Sequence, residues 1–198
     1  MKRSLIVTIA IVVILLIMGA SIPSSYNKMV KLDENVKSSW AQVENVYQRR
    51  LDLIPNLVST VKGAANFEQE TLTKVVEARA KATQVTIDPT KLNDENFKQF
   101  QAAQGELTSS LSRLLVTVEQ YPQLTATQNF RDLQSQLEGT ENRIATERRR
   151  FNDVAQEYNA FIRKFPKNIY ANWFGFKSKP YFEAEKTAAT APKVNFNN

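Results

Sequence analysis

Apolar residues recur along this chain every three or four positions, the period of an α-helix, and nothing alternates as a half-buried strand would. The pattern opens with a different signal. Residues 5 to 22, LIVTIAIVVILLIMGASI, carry no charge. At 1.5 Å per residue, about 18 helical residues just cross a hydrocarbon layer of roughly 30 Å. They predict an N-terminal transmembrane signal-anchor over 1–23. A cleaved signal peptide is the alternative, since Gly19 and Ser21 could present a cleavage site, although the apolar run exceeds the usual h-region.

Pro23-Ser24-Ser25 offers a break and caps for a new helix. From there Trp40, Tyr47, Ile54 and Val61 form one row at heptad spacing, and Val36, Val43, Arg50 and Leu57 form a second. The predicted first bundle helix ends near Lys62-Gly63. Asn66 with Gln69 reads as a capping box for a short, Ala-rich second helix to about Gln84, with Leu72, Val75, Val76 and Ala82 inward. Asp88-Pro89 marks a loop. Asn93 caps a third helix, with rows Phe97, Gln104, Leu111, Val118 and Phe100, Leu107, Leu114, Tyr121, ended by Pro122. Thr125 with Gln128 suggests a capping box for a fourth, which runs to about Lys164 on the rows Phe130, Leu137, Ile144, Phe151, Tyr158, Phe165 and Leu133, Thr140, Glu147, Val154, Phe161. Short connections favour antiparallel neighbours. The fold class expected is therefore all-α: an N-terminal transmembrane helix, then an up-and-down antiparallel bundle of four long helices over 24–165. An aromatic membrane-proximal segment over 166–186, which includes Trp173, is expected to wrap the bundle base and complete the core, with an interfacial belt at the lipid headgroups or a partner-binding patch as the alternatives, and a loose tail over 187–198 ends the chain.

Composition narrows the chemistry. With no Cys, the chain has no disulfides, thiolate metal sites or thiol nucleophiles. With no His, it lacks the usual general base and most transition-metal ligand sets, including the Glu-x-x-His motif of di-metal bundles. No Gly-rich phosphate loop is present. The net charge of +6 is spread in mixed-sign helical patterns, and the run Arg148-Arg149-Arg150 points in different directions on a helix. A nucleic-acid partner is therefore not expected, nor is a cofactor, and no residue is assigned as catalytic or metal-binding. Glu119, Glu141 and Glu147 form the one carboxylate set considered for Ca²⁺ or Mg²⁺, and nothing in their spacing demands an ion.

The stretch Arg49-Arg50-Leu51-Asp52-Leu53-Ile54-Pro55-Asn56-Leu57-Val58 stands apart, because it sets a proline and charges inside a long helical pattern. Together with Tyr26-Asn27, Trp40, Glu119-Gln120-Tyr121-Pro122, Tyr158-Asn159 and Phe165-Pro166, it resembles the LemA family of bacterial membrane proteins, over Tyr26 to about Phe182. The resemblance implies an N-terminal membrane helix carrying an extracytoplasmic helical bundle. It also implies a scaffold or adaptor, found in some bacteria alongside membrane metalloproteases or envelope-stress functions.

Arg50 falls on a seam row, so its charge must be paired or snorkel outward. Aligning the tops of the first and fourth bundle helices brings it near Glu141, with Glu138 and Glu147 as alternates. An Arg50–Glu141 ion pair inside the bundle is expected, either as a lock on helix register or as part of a polar pocket. Arg49, Asp52, Pro55 and Asn56 are candidate structural or partner positions with Arg50, as are Glu119, Glu141, Glu147 and Trp173. Tyr26-Asn27 and Tyr158-Asn159 should hydrogen-bond between layers. The function expected is a non-enzymatic scaffold in the bacterial inner membrane with its bundle on the periplasmic side, self-associating or holding a membrane protein. The alternative is a sensor-type envelope-stress module that acts through a membrane metalloprotease or other partner, with Pro55 in a bistable kink.

Overall fold

A computed structural model describes residues 2–63 and 67–183, with the side chains of residues 2–4, 10, 11 and 13–21 outside the description. Among the described residues every regular element is helical: α1 (Lys2–Lys62), α2 (Gln69–Gln84), a 3-10 turn (Pro89–Lys91), α3 (Asp94–Val118), α4 (Pro122–Thr125), α5 (Gln128–Arg163) and α6 (Lys167–Trp173). Four of these build the bundle, and side-chain contacts give its directions. Lys28 meets Glu157 and Arg50 meets Glu141, so α1 and α5 run antiparallel. Lys81 meets Glu106, while Trp40 packs on Phe97 and Phe100, which sets α2 antiparallel to α3 and α3 parallel to α1. The up-and-down order is the one expected, but the four helices are unequal: α2 has 16 residues against 61 in α1.

The seam rows are buried as their spacing requires: Trp40, Tyr47, Ile54 and Val61 with Val36, Val43, Arg50 and Leu57 on α1, and Phe97, Gln104, Leu111 and Val118 on α3. On α2 the inward set is Leu72, Val75, Ala78 and Ala82; Val76 faces out, a correction of one position on the helical wheel. On α5 the row holds from Phe130 to Tyr158. Phe165 departs from it because the helix ends at Arg163, and its ring is 81 % exposed.

Helix starts also differ from expectation. Pro23 does not break the chain into two helices, because α1 passes through both Pro23 and Pro55. Asn66 lies outside the described residues, and Glu68 at the N-cap of α2 makes no side-chain cap bond. The Asn93 cap forms fully, its carbonyl accepting from Glu95 and Asn96 backbone N–H while Asn96 answers to the Asn93 N–H. Before α5 the cap is Thr127, which accepts from Phe130 N–H, whereas Thr125 closes the single turn α4 that Pro122 starts. Proline fits that first helical position because no partner is needed there for its missing N–H.

Among the described residues no helix is long and apolar enough to cross a membrane. The span expected over 1–23 falls mainly on side chains outside the description, and the tail over 187–198 lies outside it altogether.

Candidate functional site

Arg50 sits half-way along the bundle with its side chain 1 % exposed. A buried guanidinium is costly unless its donors and charge are answered. Here Nη1 donates to Glu141 Oε1 at 2.9 Å and to Thr108 Oγ1 at 3.0 Å. Nη2 donates to the Gln104 side-chain carbonyl, and the guanidinium carbon stands 5.0 Å from the centre of the Tyr47 ring. Nε is buried without a partner. Three helices thus converge on one cation: α1 supplies it, α3 supplies Gln104 and Thr108, and α5 supplies the carboxylate. Glu141 keeps 43 % of its side chain in solvent, so the pair lies at the floor of an open cleft rather than in a sealed core. The cleft has a volume of about 660 Å³ and is lined by Lys98, Gly105, Glu141, Arg148 and Glu183 around Arg50.

Pro55 has a second consequence one turn away. Its ring removes the N–H that would have bonded to the carbonyl four residues earlier, that of Leu51. Arg79 of α2 fills the gap, its Nε donating to Leu51 O at 2.9 Å. The proline therefore exposes a backbone acceptor, and the neighbouring helix is tied to it.

Below Arg50, α5 grips the chain that follows α6. Asn159 accepts from the Lys179 N–H and donates to its carbonyl, both at 2.8 Å. Asn152 does the same to Phe182, at 2.8 and 2.9 Å. Tyr158 donates to the Lys177 carbonyl at 2.9 Å, and Arg148 donates to that of Glu183 at 2.9 Å. These side chains bond to backbone, so they fix the register of this strap, residues 177–183, with little regard for its sequence. Phe182 provides the anchor, buried among Trp40, Phe97 and Phe151. Lys179 also bonds Asp33 at 2.8 Å. Burial opposes the charge on Asp33, but hydrogen bonds from Lys179 and Lys37 outweigh it and hold the carboxyl below its ordinary range. Burial, with the Asp33 charge nearby, pushes the Tyr158 phenol well up, so it stays a neutral donor. Burial likewise raises Glu44, against the pull of the Trp40 indole and the Ile87 backbone.

Residues 39–196 match the LemA family. The chain belongs to the LemA family. Among its relatives, Magnetosome protein MamQ 2 of Paramagnetospirillum magneticum is 28 % identical over an alignment covering 88 % of this chain and 70 % of that protein. Magnetosome protein MamQ of Magnetospirillum gryphiswaldense is 28 % identical over 85 % of this chain and 68 % of its own length. Protein LemA of Metamycoplasma hominis is 23 % identical over 81 % of this chain and 69 % of that protein.

Within this LemA domain the remaining sequence candidates scatter. Arg49, Pro55 and Asn56 are exposed on α1, and Asp52 accepts from Gln48 on the same helix. Glu119 is the exposed C-cap of α3. Glu138 accepts from Gln134, and Glu147 pairs with Arg150 one turn on. The three carboxylates weighed for a cation are thus dispersed, and among the described residues no cluster of three acidic groups could hold a metal. Trp173 lies 78 % exposed on α6. The structure adds Gln104, Thr108, Arg79 and Asn152. Gln104 had a signal, a polar residue on an apolar row. Asn159 bonds the strap, not a neighbouring helix layer as expected, and Tyr26 packs edge-on against Phe174 and Phe176. Asn152 had no signal, because its partners are backbone atoms of Phe182.

Proposed function

We propose that this LemA-family chain is a membrane-anchored, non-enzymatic scaffold of the bacterial envelope that self-associates or holds a membrane protein. Residues 5–22 form its single span in the inner membrane, and the bundle stands on the extracytoplasmic side. The observation that carries the reading is how Arg50 is used. The deeply buried cation that would be the natural centre of a reactive site is committed to Glu141, Gln104 and Thr108 on two other helices. It fixes helix register, and among the described residues no group of three acidic side chains stands beside it to hold a metal. Relatives named as magnetosome proteins add support, since that name ties them to a cellular structure rather than to a reaction.

The test is crosslinking of the full chain in native membranes, followed by mass measurement after detergent extraction. A reproducible self-adduct or one captured membrane protein is the expected result. Monomer alone, with no captured partner, contradicts the scaffold reading. The sensor alternative has less behind it, because the bond from Arg79 to the carbonyl released by Pro55 ties down the element that would have to switch.

A further inference from the structure

The base of the bundle carries a surface that the fold does not use. On α6, Tyr170 and Ala171 face inward and are buried, while Ile169 and Trp173, one turn apart on the outer face, are 46 % and 78 % exposed. Phe165, just before the helix, and Phe174, just after it, are exposed as well. A soluble domain rarely leaves such large apolar side chains grouped on one short element. The flanking charge is one-sided. From Arg163 to Phe182 the sequence holds Arg163, Lys164, Lys167, Lys177 and Lys179 and no acidic residue. Of these, Lys179 is taken up by Asp33, while Arg163, Lys164 and Lys177 are exposed.

Position gives the surface its meaning. The Phe174 ring lies 4.9 Å from that of Tyr26 on α1, and Ile22, the last residue of the uncharged run, packs against the lower core. Tyr26 is four residues beyond Ile22, about 6 Å along a helix axis. The apolar face of α6 therefore sits at the level where the run 5–22 gives way to polar sequence. A second copy is a poor cover for this face, because a two-fold contact would set the same basic residues against one another. Anionic headgroups answer the lysines, and the acyl boundary answers Phe165, Ile169 and Trp173.

We propose that α6 and its flanks form a docking surface for an anionic lipid bilayer, with Trp173 at the headgroup–acyl boundary and the bundle held upright on its anchor. This rests on the anchoring of residues 5–22 proposed above, and the experiment separates the two.

The chain has two tryptophans, and they report differently. Trp40 is buried in the bundle, about 27 Å along the helix from Ile22 and beyond the reach of acyl-chain quenchers. The full chain and its Trp173→Phe variant are reconstituted into phosphatidylglycerol-containing vesicles with brominated acyl chains, and then into zwitterionic vesicles with the same chains. The expected result is a loss of emission in the parent protein that Trp173→Phe abolishes, larger in the anionic vesicles. If the protein floats with the vesicles but Trp173 is not quenched, the docking surface is refuted while the anchor stands. Equal quenching in both vesicle types refutes the recognition of anionic headgroups. Failure to float with vesicles at all refutes the anchor, and with it the basis of the proposal.

Discussion

The two halves of the bundle, above and below Arg50, are built in different ways. Above it, Leu51, Ile54, Leu57 and Val61 of α1 meet Leu72 and Val75 of α2, Leu107, Leu111 and Leu114 of α3, and Phe130 and Leu137 of α5. That core is mostly aliphatic and is closed by four helices. Below it, α2 has ended. Its place is filled by Ile87 and Leu92 from the 85–93 connection, by Tyr170 and Ala171 of α6, and by Phe182 of the strap. The lower core is aromatic: Trp40, Phe97, Phe100, Phe151 and Phe182 stack or meet edge-on around one centre. Large rings fill the space a missing helix would leave, and irregular backbone can be packed against them when side chains such as Asn152 and Asn159 satisfy its polar groups. A short second helix thus requires an aromatic core and a strap, and the polar layer at Arg50 marks the change.

The heaviest blow to this contrast is Trp40→Ala. It empties the centre of the lower core and should cost about 3–5 kcal/mol, as deletions of large buried aromatics do. Chemical unfolding of the extracted full chain measures it. Local hydrogen exchange should show the lower half opening first, and equal loss of protection in both halves would mean that they form one uniform core. Asn159→Ala should cost less, about 1–3 kcal/mol, by leaving the Lys179 N–H and carbonyl unanswered. Its signature is protease cleavage within 177–183 while α1–α3 stay protected. Cleavage unchanged from the parent protein would show that Phe182 alone holds the strap.

These two predictions also mark where the sequence could be read. The upper half was legible because its parts are periodic. Heptad rows on the three long helices found the buried positions, and aligning helix ends was enough to bring Arg50 beside Glu141. Gln104 was visible as a polar intruder on the α3 row, although its role was not. The lower half was legible only in part. The aromatic composition of 166–186 was enough to expect it to wrap the bundle base and complete the core, as Tyr170 and Phe182 do, but Phe182 sits in no helical period and Asn152 and Asn159 contact backbone 20 to 30 residues away, so the individual contacts could not be read. Pro23 misled for a local reason: the rule that proline ends a helix is a preference about hydrogen bonds, and α1 continues through it.

Two smaller effects sharpen the contrast from either side. In the upper half, Arg79→Ala should cost about 1 kcal/mol by orphaning the Leu51 carbonyl. Adding Pro55→Ala in that background restores an N–H to the same carbonyl and should recover most of the loss in thermal melting. No recovery would detach Pro55 from the α1–α2 tie. In the lower half, the Asp33–Lys179 bond should respond to acid. Asp33 has a folded pKa below its unfolded value of 3.8, so its contribution is complete above that value and is lost as pH falls through the folded one. Because both partners retain some solvent contact, Asp33→Asn should lower stability near neutral pH by less than about 1 kcal/mol. The difference from the parent protein should vanish in acid; a difference that persists there would place the effect elsewhere.

The claim on which both halves depend is that Arg50 and Glu141 form a coupled lock between α1 and α5. A double-mutant cycle of Arg50→Leu and Glu141→Leu, measured by chemical unfolding of the full chain, tests it most directly. Either single change breaks the pair, and the double change removes both charges. The two single-mutant losses should add up to more than the double-mutant loss, the excess being a coupling of about 1–3 kcal/mol. Losses that simply add would show two independent side chains and would contradict the lock.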